Sequence, residues 1–198
     1  MSVIKKTSDL YRKYIIVIAY SGINYFTIWF TDTTSHNLDD EFLCNEEGSI
    51  LTFTGSDAIF EYIKKNHLRL KDSNNFIGWV RNFNKNDDEI IQYDLDKLVL
   101  KINKEIELLE SKELIELLNF YNLVADYAHS INEKVLLKVL NDNELKIFFD
   151  FVYDNFFWKK DVFKPINELN GFNQSEFRIK YIKIINIFKS KLAATRIG

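Results

Sequence analysis

The sequence predicts an α+β chain: an N-terminal antiparallel sheet of three to four strands with one covering helix, then a helical C-terminal half. Three observations predict it. β-branched and aromatic runs separated by turn residues fill the first third, apolar residues at helical spacing dominate after Asp94, and 198 residues with 46% hydrophobic and 15% aromatic content suffice to bury a core. An N-terminal lobe over 1–90 and a helical lobe over 91–198 are expected to form one compact unit.

Tyr14 to Tyr20 and Tyr25 to Thr31 carry strand character on either side of Ser21-Gly22-Ile23-Asn24, which is a turn signal, so the pair predicts a hairpin. A polar loop follows from Asp32 to Asp40. A short stretch around Phe42 to Cys44, a turn at Glu46-Glu47-Gly48 and a strand over Ser49 to Thr54 complete the meander. Gly55-Ser56-Asp57 is read as a cap for a helix whose Ala58, Ile59, Tyr62 and Ile63 make one apolar face.

Between His67 and Asn86 the asparagines favour turns around Phe76, Ile77, Trp79, Val80 and Phe83, and a connector with a short helix is expected there. Ile90 to Tyr93 then reads as a last strand, and Asp94 or Asp96 as the cap of a helix running through Leu98, Leu100, Ile102, Ile106 and Leu109. Ser111, Asn132 and Ser175 are the caps expected for later helices, with Asn141-Asp142-Asn143 as a break and Pro165 in a loop ending at Asn170-Gly171.

Chemistry is sparse. His36, His67 and His129 fall in different elements, no HxH, HExxH or CxxC occurs, and six glycines include no Walker loop or GxGxxG, so neither metal nor cofactor is expected. Cys44 rules out an internal disulfide framework and reads as packing material rather than a nucleophile. Paired acids at Asp39-Asp40, Glu46-Glu47, Asp87-Asp88 and Asp94/Asp96 resemble solvated turns more than catalytic dyads, and a non-enzyme is expected. The start MSVIKKTSDLYRKY turns polar at once, and no run approaches the ~20 apolar residues of a membrane span. A cytoplasmic location without membrane contact is the expectation.

Charge distribution is the strongest functional signal. From Tyr14 to Ile63 there is no lysine or arginine, while Asp32, Asp39, Asp40, Glu41, Glu46, Glu47 and Asp57 lie within that window. Such segregation suits the steering of a basic partner. A formal net charge of −3 disfavours a general nucleic-acid binder, although Arg178, Lys180, Lys183, Lys189, Lys191 and Arg196 offer a basic C-terminal helix as an alternative surface for phosphates or an adaptor contact. The aromatics from Phe148 to Trp158 predict either a junction between the lobes or an apolar interface, which would make the chain a homo-oligomer if identical copies buried it.

The runs YIIVIAYSGINYFTIWFTD and DDEFLCNEEGSILTFTGSDAIFEYIKKN, spanning Tyr14 to Asn66, resemble the small immunity proteins encoded beside bacterial polymorphic or contact-dependent growth-inhibition toxins. The shared style is an aromatic hairpin, an acidic loop and a short strand leading into a helix. The resemblance implies a cytoplasmic protein that binds one cognate toxin domain, such as a nuclease, and blocks it without doing chemistry. Asp39, Asp40, Glu41, Glu46 and Glu47 would carry that role, flanked by Asp32 and Asp57. The half after Asp94 matches no such pattern.

Overall fold

The computed structural model describes residues 6–36, 38–84, 90–158, 171–193 and 196–198. Asp87-Asp88, Pro165 and Asn170 lie outside them. The chain divides into two compact units, Met1–Asp94 with Lys191–Gly198, and Leu95–Ser190.

In the first unit a short helix α1 (Thr7–Tyr11) leads into β1 (Lys13–Tyr20) and β2 (Ile23–Thr31). The hairpin forms because Ser21 and Gly22 both take positive φ, 51° and 73°, the two-residue turn whose twist matches paired strands. The edge strand β3 (Asp40–Phe42) pairs antiparallel with β2, and the helices α2 (Ser56–Asn66) and α3 (Ser73–Asn82) follow. The core joins Ile15, Ile28 and Phe30 of the hairpin to Ile59 and Ile63 of α2 and to Phe76 and Trp79 of α3.

Two expectations about the sheet need correcting. The last strand, β4 (Ile91–Asp94), lies parallel to β1 in the order β3-β2-β1-β4, so the sheet is mixed rather than purely antiparallel. Residue pattern does not encode strand direction, and the helical connection through α2 and α3 is long enough for a parallel return. Residues 49–54 form single bridges instead of a strand, because their backbone partners are scattered over separate segments and no continuous ladder builds up with any one of them. Leu51 and Phe53 donate to Leu43 and Phe26, whereas Ile50 and Thr54 donate to Lys191 and Ile197 near the C-terminus. Those bonds bring Lys191–Gly198 into the first unit.

The second unit contains α4 (Leu95–Ile102), α5 (Ser111–Ser130), α6 (Lys134–Leu140), α7 (Asn143–Tyr153) and α8 (Gln174–Lys191). The run expected to continue to Leu109 stops at Ile102, followed by a separate 3₁₀ turn, Ile106–Leu108. Arg178 of α8 stabilises that stop by donating to the carbonyls of Ile102 and Lys104. Caps also shift from the expected residues. Gly55 precedes α2 without a side-chain cap, Glu110 forms a capping box with Glu113, Glu133 accepts from Val135 N, and Asn173 accepts from Ser175 and Glu176. In each case the residue expected to cap lies one or two positions inside or before the turn that needs it. Asp142, expected as a breaker, caps α7.

Phe148 and Phe149 pack within this unit against Phe177 and Tyr181, and the Tyr181 hydroxyl donates to the Leu117 carbonyl at 2.7 Å. Phe157 and Trp158 are exposed, with Trp158 stacked on Tyr153.

One interaction unforeseen in the sequence fixes the sheet to α3. Lys13, fully buried, donates to Asp72 Oδ2 at 2.6 Å and to the Thr31 carbonyl at 2.9 Å. Burial lowers its pKa from the ordinary lysine value, while the bond to Asp72 opposes that shift. Asp72→Asn tolerates the left-handed backbone at this position (φ 54°) but leaves the ammonium uncompensated. It is expected to cost about 3–5 kcal/mol in denaturant unfolding. Adding Lys13→Met should recover part of the loss, and a double variant weaker than Asp72→Asn would refute the uncompensated-charge account.

Candidate functional site

The acidic window folds into a segment that leaves β2, forms edge strand β3 and turns back at residues 45–49. Its acids separate into those committed to the fold and those facing solvent. Asp32 is only 6% exposed, and its Oδ1 accepts from the Thr34 backbone at 2.9 Å and the Thr34 hydroxyl at 2.6 Å. Burial pushes its pKa up, but the two Thr34 bonds, together with the Lys71 charge and the Ser35 backbone, hold it below the usual carboxylate range. Asp40 accepts from the Thr31 hydroxyl at 2.6 Å. Lys71 donates to both Glu41 oxygens at 2.9 Å, and that bond, more than any longer-range attraction, raises the lysine pKa.

Asp39, Glu46 and Glu47 remain exposed. The turn carrying the two glutamates is built by Asn45, whose side-chain oxygen accepts from Glu47 and Ser49 N–H groups at 3.1 and 2.8 Å. Gly48 completes it at φ 79°. Asp57 is exposed in the first turn of α2, where the helix dipole favours a carboxylate. Lys71, eight residues beyond the window, was the element missed. Its bond to Glu41 and attraction to Asp32 and Asp39 partly neutralise one end of the acidic segment.

The other candidate residues are placed as follows. Cys44 is half-buried and bridged to Ile50, and burial, reinforced by Glu41, pushes its thiol up to about 12. His36 and His129 are exposed, and His67 lies 3.0 Å from the Lys64 carbonyl. Among the described residues no group of three or more His, Cys, Asp or Glu side chains could hold a metal ion. On the basic C-terminal face, Arg178 also pairs with Glu105, Lys180 with Asp142, and Arg196 donates to the Asn24 carbonyl while facing the Tyr25 ring. These contacts draw Arg178, Lys180 and Arg196 into the fold. No described helix is long and apolar enough to cross a membrane.

No family model and no curated protein matches the sequence. A solved structure, the crystal structure of SatS c-terminal domain in complex with bromine, is similar to this chain with a TM-score of 0.57 and 15% identity, covering 94% of this chain and 95% of that one. The likeness concerns the fold, a sheet-bearing α+β chain with a largely helical remainder.

The division of the acids has a direct test in unfolding experiments. Asp32→Ala orphans donors in its turn and is expected to cost about 1–3 kcal/mol, whereas Asp39→Asn with Glu46→Gln and Glu47→Gln should stay within about 0.5 kcal/mol per exposed site. Equal losses would show that the exposed acids also support the fold. Cys44 generates a second prediction, since a folded thiol titrating near 12 against an ordinary 9.0 contributes stability below pH 9 that is lost as pH rises toward 12. At pH 8, iodoacetamide should alkylate the native chain at least about a hundredfold more slowly than the urea-unfolded chain. Similar rates would make Cys44 an accessible, activated thiol.

Proposed function

We propose that this chain is a non-catalytic protein-binding inhibitor, an immunity protein that neutralises a cognate bacterial toxin domain of basic surface in the cytoplasm. The observation that carries this reading is the exposure of Asp39, Glu46 and Glu47 along the edge-strand segment after Asp32, Asp40 and Glu41 have been committed to internal partners. The resemblance of Tyr14 to Asn66 to toxin-immunity proteins supports the same reading. A basic domain, a nuclease among others, would be attracted by the exposed carboxylates, and its residence would depend on less polar contacts formed after encounter. Half-buried Glu41 reinforces the field less than an unpaired glutamate would, because Lys71 stands against it.

Capture from the native lysate at low and moderate salt tests this directly. The wild-type chain should retain one stoichiometric basic protein and inhibit that protein's activity in a purified assay. The Asp39→Asn/Glu46→Gln/Glu47→Gln chain should associate about three- to tenfold more slowly at low salt, with the difference shrinking as salt rises. An unchanged association rate would remove the acidic segment from recognition, and a captured protein that keeps its activity would overturn inhibition.

A further inference from the structure

The second unit carries a surface of opposite sign. α6 and α8 border an open groove of about 480 Å³, with Lys134 and Lys138 from one helix and Lys180 and Lys183 from the other. Spacings of four and three residues place each pair on one helix face. Val135 and Val139 supply apolar lining between them, and Val135 is 56% exposed. Asp142 accepts from Lys180 at 2.8 Å. Among the described residues, Lys180 is the lysine of this group that pairs with Asp142, and Lys134, Lys138 and Lys183 line the groove exposed to solvent.

Three cations around an exposed valine define an occupant with both carboxylates and an apolar side chain. Lysine ammonium groups attract carboxylates and phosphates alike as point charges, and it is the valine lining that favours an occupant with an apolar side chain beside its acids. Among the described residues, the lining contains no aromatic ring on which a nucleic-acid base could stack. We propose that the groove docks an acidic amphipathic segment of a partner protein, with carboxylates on Lys134, Lys138 and Lys183 and an apolar side chain on Val135. This surface is independent of the acidic edge and of the inhibitor reading.

The full chain can be tested by fluorescence anisotropy with a labelled synthetic peptide carrying glutamate and leucine at helical spacing, beside a control in which serine replaces leucine. Lys134→Gln/Lys138→Gln/Lys183→Gln should weaken the leucine peptide by about tenfold or more at low salt with the unfolding midpoint retained. Val135→Ser should weaken it about threefold to tenfold and leave the serine control unchanged. No peptide binding, or binding indifferent to the triple variant, would overturn the proposal. So would duplex DNA binding more tightly and ignoring Val135→Ser, or a concentration-dependent dimer abolished by the triple variant, which would assign the groove to a second copy of this chain.

Discussion

The first unit depends on a buried cation. Lys13 joins the first residue of β1 to the last residue of β2 through the Thr31 carbonyl and to the residue preceding α3 through Asp72. Its ammonium also lies 5.0 and 5.2 Å from the Phe76 and Phe30 rings, so the aromatic core surrounds and partly compensates it. An ion pair removed from water carries a desolvation cost of several kcal/mol per ion unless its remaining hydrogen-bonding capacity is met. Here it is met: Asp72 accepts from the Thr33 hydroxyl and from Asn75, both at 2.9 Å. The same network therefore fixes the loop that begins at Asp32, and with it the direction in which the acidic segment leaves the sheet.

A second constraint comes from the far end of the chain. Ile50 donates to Lys191 and accepts from Ala193, while Thr52 accepts at its carbonyl from Ile197 and Thr54 donates to Ile197. Residues 49–54 thus obtain on that side the partners that another strand would have supplied. Leu43, itself bonded to Ile28, accepts from Leu51. The acidic turn at 45–49 therefore projects from a segment anchored by both the hairpin and the C-terminal residues, which suits a preorganised surface more than a loose loop.

Much of the fold was legible because its signals are local. Two positive-φ turn residues, the β-branched runs beside them and the spacing of Ile59 and Ile63 each act within a few positions. What escaped the sequence was non-local. Nothing near Ile91 announces a parallel partner, nothing near Ile50 announces Lys191, and Lys13 and Asp72 are separated by 59 positions. The acidic segment was legible as a stretch of like charge, but its division was not. Asp32 reads the same as Asp39 in a list of charges, and only Thr34 folding back onto its carboxylate separates them.

The same division changes what a fifty-residue stretch without bases signifies. Its two bounding lysines, Lys13 and Lys64, are turned inward to Asp72 and toward neighbouring Glu61, whereas Lys71 returns from outside the stretch to meet Glu41. Exposed edge strands need charge simply to resist pairing with other chains, and the acids around β3 serve that purpose whether or not a partner exists. That role accounts for Asp40 and Glu41, which pair with Thr31 and Phe30 in the ladder to β2. It does not require Glu46 and Glu47, which stand beyond the strand in a turn whose geometry Asn45 and Gly48 already fix. Glu46 and Glu47 stay exposed on that anchored turn, so under the inhibitor proposal they are the carboxylates of the acidic segment left available to an approaching cation.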